Sequence, residues 1–79
     1  MNYRILYFAS LRDAAGRDSE ECATALTDAS ALYELLRQRY GFVLGRERLR
    51  VAINGEFVRW DRALAEGDEI AFLPPVSGG

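Results

Sequence analysis

Leu49-Arg50-Val51-Ala52-Ile53-Asn54-Gly55-Glu56-Phe57-Val58-Arg59-Trp60 decides how this chain folds. Leu49 to Ile53 alternates with period two, the spacing of a strand with one buried face. Asn54-Gly55 follows it, the pair best suited to a tight hairpin turn, because both central residues of such a turn need positive φ. Glu56 to Trp60 then reads as the returning strand. A lone hairpin is only marginally stable and needs a layer to pack against.

The neighbouring sequence supplies the rest. Leu64 sits in a connecting segment, Gly67-Asp68 makes a turn, and Glu69 to Leu73 is the last strand. Near the start, Tyr3 to Ala9 is aromatic and aliphatic and of strand length. Ser10 offers an N-cap to one short helical turn, which Gly16 stops. Asp18 to Thr24 is a weaker strand candidate, with Cys22 and Ala23 as its apolar content. Thr27 or Asp28 caps the main helix. Its apolar positions Leu32, Leu35, Leu36 and Tyr40 recur at intervals of three and four, and Gly41 ends it. Glu34, Arg37, Gln38 and Arg39 take its other side.

The order is therefore strand, strand, helix, strand, strand, strand. One amphipathic helix needs one sheet face to cover it. The economical solution is an α+β domain, a mixed sheet of four or five strands with the first and last as central neighbours. That arrangement is the β-grasp, the ubiquitin-like fold. Residues 1–73 would form it, and residues 74–79 would follow as a flexible Gly-Gly tail.

Composition narrows the function. Seventy-nine residues make one domain, and 49% hydrophobic content argues for a packed core. The net charge of −2 is spread along the chain, with no basic block of the kind that binds nucleic acid. No apolar run approaches the ~20 residues of a membrane helix. Met1 leads almost directly into a strand, so a signal peptide is not expected and the default location is cytoplasmic. There is no histidine, one cysteine, and all ten basic residues are arginine. A conventional zinc site, a Ser-His or Cys-His pair and a lysine Schiff base are thus unavailable within the chain, and no metal site is expected. Cys22 sits mid-strand, where a cysteine behaves as a small hydrophobe rather than a reactive thiol. Asp18, Glu20 and Glu21 read as a solvated edge.

Alternation gives the sheet two apolar faces. Tyr3, Ile5, Tyr7, Ile70 and Phe72 point one way, with Leu49, Val51 and Ile53. Leu6, Phe8, Ala52, Ala71 and Leu73 take the opposite side, with Phe57 adjacent. The helix covers only one face. A contiguous apolar patch left in water marks a partner surface. The alternatives are a loop folded over the patch or a register shifted by one residue.

The chain closes on Phe72-Leu73-Pro74-Pro75-Val76-Ser77-Gly78-Gly79. Two prolines favour a stiff, extended segment, and glycine passes where a Cβ would clash. This reads either as a thin probe with a working carboxylate at Gly79 or as an unstructured end. Pro-Pro-Val, a small residue and Gly-Gly, preceded by Leu64-Ala65-Glu66-Gly67-Asp68-Glu69-Ile70 and, at the start, Tyr7-Phe8-Ala9, resemble the small subunits of molybdopterin synthase, a family of ubiquitin-like sulfur carriers.

The resemblance covers essentially the whole chain and implies the following. An adenylyltransferase related to ubiquitin-activating enzymes consumes ATP to adenylate Gly79, and no cofactor is held tightly by the carrier. Sulfur then displaces AMP and leaves a thiocarboxylate. The tail enters the large synthase subunit, in a heterotetramer of two small and two large subunits, and its sulfur helps convert cyclic pyranopterin monophosphate into the molybdopterin dithiolene. Catalytic side chains would lie on the large subunit. Gly78 gives clearance in a narrow channel. Pro74 and Pro75 aim the tail away from the sheet and, with Val76, approach the partner. Alternation in the two central strands, rather than the resemblance, predicts that Phe8 and Leu73 centre a docking surface ringed by Leu6, Phe57 and Ala71. The alternatives are a sulfur carrier for thiamin, cysteine or tRNA thiolation, a protein modifier joined to lysines through Gly79, and an interaction module with an inert tail.

Overall fold

The computed structural model describes residues 1–75. Strand β1 (Asn2–Tyr7) leads into helix α1 (Ala9–Ala15) and strand β2 (Ser19–Ala23). Helix α2 (Ala29–Tyr40), a 3₁₀ turn at Arg46–Arg48, and strands β3 (Arg50–Ile53), β4 (Glu56–Val58) and β5 (Glu69–Leu73) follow. The five strands form one sheet in the order β2-β1-β5-β3-β4. The central β1 and β5 run parallel, with Ile5 opposite Ile70 and Tyr7 opposite Phe72, and the other neighbours are antiparallel. This is the expected β-grasp.

The local signals explain why each element stops where it does. The Asp28 carboxylate accepts from the Ser30 and Ala31 amides, at 2.8 and 3.4 Å, and so caps α2. Gly41 ends the helix with φ of 72° and returns its N–H to the Arg37 carbonyl. Asn54 and Gly55 both take positive φ, 53° and 85°, as a tight hairpin requires. That turn is also tied to the last strand. Asn54 Nδ2 donates to Asp68 Oδ1 at 3.0 Å, and Asn54 Oδ1 accepts from the Glu69 amide at 3.0 Å. Asp68 is buried, and its other oxygen accepts from the Ala65 amide at 2.8 Å.

The core lies between α2 and one sheet face. Tyr3, Ile5, Leu32, Leu36, Ile70 and Phe72 are completely buried there. The helix stripe is rotated from the expected one. Ala29, Leu32, Tyr33 and Leu36 are buried, whereas Leu35 and Tyr40 are only partly so. Tyr33 displaces Leu35 because its ring packs 5.1 Å from Phe72 and 5.9 Å from Phe42, while its hydroxyl donates to the Leu44 carbonyl at 2.6 Å. A tyrosine whose tip is satisfied packs as a large apolar residue. Burial pushes that phenol up to about 12.

Three further expectations need correction. Strand β1 ends at Tyr7 rather than Ala9, because Ala9 has φ of 51° and turns the chain into α1. Phe8, not Ser10, occupies the N-cap of α1, with no side-chain cap bond, and α1 spans seven residues rather than a single turn. Strand β4 stops at Val58 instead of Trp60, whose ring leaves the ladder to stack on Phe72 at 5.9 Å.

The acidic edge is also not uniformly solvated. The Glu20 side chain is only 8% exposed. It accepts hydrogen bonds from the Tyr7 hydroxyl and, at 2.6 Å, from the Tyr40 hydroxyl, and it pairs with Arg17 at 3.3 Å. Glu21 does lie in solvent and pairs with Arg4 at 3.2 Å.

Candidate functional site

The sheet face turned away from α2 is organised in rows across the strands. The first is charged: Glu21, Arg4 and Glu69 stand in register on β2, β1 and β5. The second is apolar: Leu6, Ala71, Ala52 and Phe57 lie opposite one another across β1, β5, β3 and β4. In the third, Leu73 faces Arg50. Phe8 stands one residue beyond the Tyr7–Phe72 pair, and its backbone remains extended, with φ −130° and ψ 149°. Alternation along that extended segment puts Phe8 on the side of Leu6.

Exposure along this face is uneven. Phe57 is 57% and Phe8 42% exposed, and Leu6 and Leu73 are half-buried. Ala52 and Ala71, expected in water, are nearly covered. A methyl group sits low between larger neighbours, so the two alanines floor a shallow depression rather than stand on its rim. No described loop hides Phe8 or Phe57, and the register expected for the strands is the one found.

Beside this depression, Leu49, Phe57, Leu73, Pro74 and Pro75 line a groove of about 340 Å³, with Glu47, Arg48 and Arg50 around it. The Arg50 guanidinium carbon lies 3.8 Å from the centroid of the Phe57 ring, a close cation–π contact. The structure thus brings Leu73, Pro74, Pro75 and Phe57 together, and sets Leu6 and Ala71 in the adjoining row. Arg50 and Arg48 were not singled out from sequence. Arg50 was legible, since alternation with Val51 puts it on the outer face. Val76, Gly78 and Gly79 lie outside the described residues.

Other candidates carry little chemistry. Cys22 is buried, and burial pushes its thiol up, which disfavours the reactive thiolate. Among the described residues no group of three His, Cys, Asp or Glu side chains comes together to hold a metal ion. No helix among them is long and apolar enough to cross a membrane.

An outer apolar face that runs along β5 into a Pro-Pro segment is the arrangement that comparison with known proteins then places. The family model described as the ThiS family matches residues 5–79. The chain belongs to that family. Among its relatives, the molybdopterin synthase sulfur carrier subunit of Escherichia coli (strain K12) is 35% identical over 79 residues, covering 96% of this chain and 98% of the relative. A solved structure described as a putative molybdopterin converting factor, subunit 1, from Pyrococcus furiosus superposes with a TM-score of 0.79 at 30% identity, over 96% of this chain and 99% of that one. The small archaeal modifier protein 1 of Methanosarcina acetivorans superposes with a TM-score of 0.77 at 28% identity, over 99% and 96% of the two chains. The ThiS-family assignment therefore covers the sheet, α2 and the Pro-Pro segment together.

Proposed function

We propose that this protein is the sulfur-carrying small subunit of a molybdopterin synthase. The observation that carries the reading is the near end-to-end similarity, at 35% identity, to a protein named for that role. The geometry supports it. Strand β5 supplies Ala71 and Leu73 to the outer face and runs without interruption into Pro74-Pro75, so a partner seated on that face meets the base of the tail.

In this reading the carboxylate of Gly79 is the working group. A carboxylate resists nucleophilic attack, so an activating adenylyltransferase spends ATP to form the acyl adenylate and releases pyrophosphate. A sulfur nucleophile displaces AMP and leaves the thiocarboxylate. The tail then delivers that sulfur to cyclic pyranopterin monophosphate in the large subunit, and hydrolysis restores the carboxylate. Six residues from Pro74 to Gly79, extended at ~3.1 Å each, span roughly 15–20 Å. Gly78 provides clearance in the channel. The large subunit contributes the catalytic side chains, two carriers and two large subunits form the assembly, and the site of action is cytoplasmic.

Reconstitution tests this. The chain, its activating enzyme, ATP, a sulfur donor and a large synthase subunit should together yield the dithiolene product. Absence of product in a system that works with the Escherichia coli carrier would contradict the proposal. A second reading, conjugation to lysines through Gly79, is favoured by the likeness to a small archaeal modifier protein. Isopeptide conjugates in cell lysate would support it.

A further inference from the structure

We infer that the groove beside Pro74 and Pro75 receives an acidic side chain of the large subunit, held by Arg50, and that this contact selects the partner; the inference rests on the function proposed above. Three observations carry it. The groove is continuous with the outer face, because Leu73 and Phe57 belong to both. Its walls are mostly carbon, from Leu49, Phe57, Leu73 and the two prolines, so it suits an apolar contact with a charge at its edge.

The third is the state of Arg50. Among the described residues Arg50 forms no ion pair, as is also true of Arg39, Arg46, Arg48 and Arg62, and of these five it is the one held against the Phe57 ring. At 3.8 Å from the ring centroid its guanidinium is held on the Phe57 face. A stacked guanidinium keeps its N–H groups directed outward in its own plane, where they match the two oxygens of a carboxylate. The rotamer entropy that an exposed arginine normally loses on binding is already partly spent by that stacking. The groove carries two arginines against one glutamate, Glu47, so its charge balance favours an anionic visitor.

The occupant is therefore a segment of the large subunit that presents a carboxylate next to an apolar side chain. The apolar group would rest on Leu73 and Pro75, and the carboxylate would bridge to Arg50. Only a partner with that pairing would be drawn to the base of the tail, which makes Arg50 a specificity-determining residue rather than a catalytic one.

Calorimetric titration of the full chain into the large subunit, at low and high salt, tests this. Arg50→Glu should weaken binding on the order of tenfold or more, as expected for an anchoring arginine. Arg50→Gln should weaken it less and flatten the salt dependence, since screening acts only on the charge. Arg50→Lys should fall between Arg50→Gln and the wild type, because it keeps the charge and loses the planar fork. Arg62→Glu makes the same charge change outside the groove and should leave binding near the wild-type value. Unchanged affinity and salt slope in folded Arg50→Glu and Arg50→Gln, or an equal loss in Arg62→Glu, would overturn the inference while leaving the proposed function standing. No binding by the wild-type chain would instead remove the proposed partner, and the inference with it.

Discussion

Leu73 faces Arg50 on the last rung of the β3–β5 ladder, and the next residue is Pro74. Sheet, outer apolar face and Pro-Pro segment meet at that rung. A proline has no amide proton to continue a ladder, so the strand ends at Leu73.

The docking face should depend on Phe8. Its ring is substantially exposed, so truncation removes little from the core. Phe8→Ala should weaken binding to the large subunit by about thirtyfold, the scale of an aromatic anchor worth ~2 kcal/mol. The melting temperature should scarcely change. Wild-type affinity in the folded variant would move the docking surface elsewhere.

The core should depend on Leu36, which is completely buried against the sheet. Leu36→Ala should cost roughly 2–5 kcal/mol in a denaturant melt, a large share of the about 5–15 kcal/mol by which native proteins are stable. Leu35→Ala, at a half-buried position, should cost clearly less.

Glu20 should shape the acid limb of stability. Burial alone would raise its pKa, but the Tyr40 and Tyr7 hydroxyls, with Arg17 and Arg39, outweigh burial and hold the carboxyl below its ordinary value. A carboxyl with a depressed folded pKa stabilises fully above its unfolded pKa and loses that contribution as pH falls through the folded one. Glu20→Gln should therefore be less stable than wild type at pH 7, with the gap closing below about pH 4. Melts at a series of pH values would show it, and a gap independent of pH would rule out the charge as the cause.

Ala9 should be a site of relievable strain. Its φ of 51° is one that an L-residue with a Cβ adopts at a cost. Ala9→Gly should raise stability by about 0.5–1 kcal/mol, the left-handed penalty less the extra entropy of glycine in the unfolded chain. A loss of stability would show that the Ala9 methyl group makes a compensating contact.

Much of this was legible in the sequence where one physical rule acted alone. Asn54-Gly55 demanded a hairpin because few other pairs tolerate two positive φ values, and Gly41 ended α2 for the same reason. The period-two alternation fixed which residues of β1, β3 and β5 face α2, and therefore which face was left over. The misreadings lie where tertiary contacts override local preference. Tyr33 enters the core in place of Leu35 because Leu44 satisfies its hydroxyl. Glu20 looks like a surface carboxylate until Tyr7 and Tyr40, from β1 and the end of α2, converge on it. The outward position of Arg50 follows from alternation, but its contact with Phe57 does not, because β4 supplies that ring.

The central claim is that Gly79 carries the sulfur. Intact-mass spectrometry of the chain after incubation with its activating enzyme, ATP and a sulfur donor tests it most directly. The account predicts the sulfur-for-oxygen mass increase in the full chain, localised to the C-terminal peptide, and none in a folded chain lacking Gly79. An unmodified full chain under conditions that thiocarboxylate the Escherichia coli carrier, or full modification of the truncated one, would contradict it.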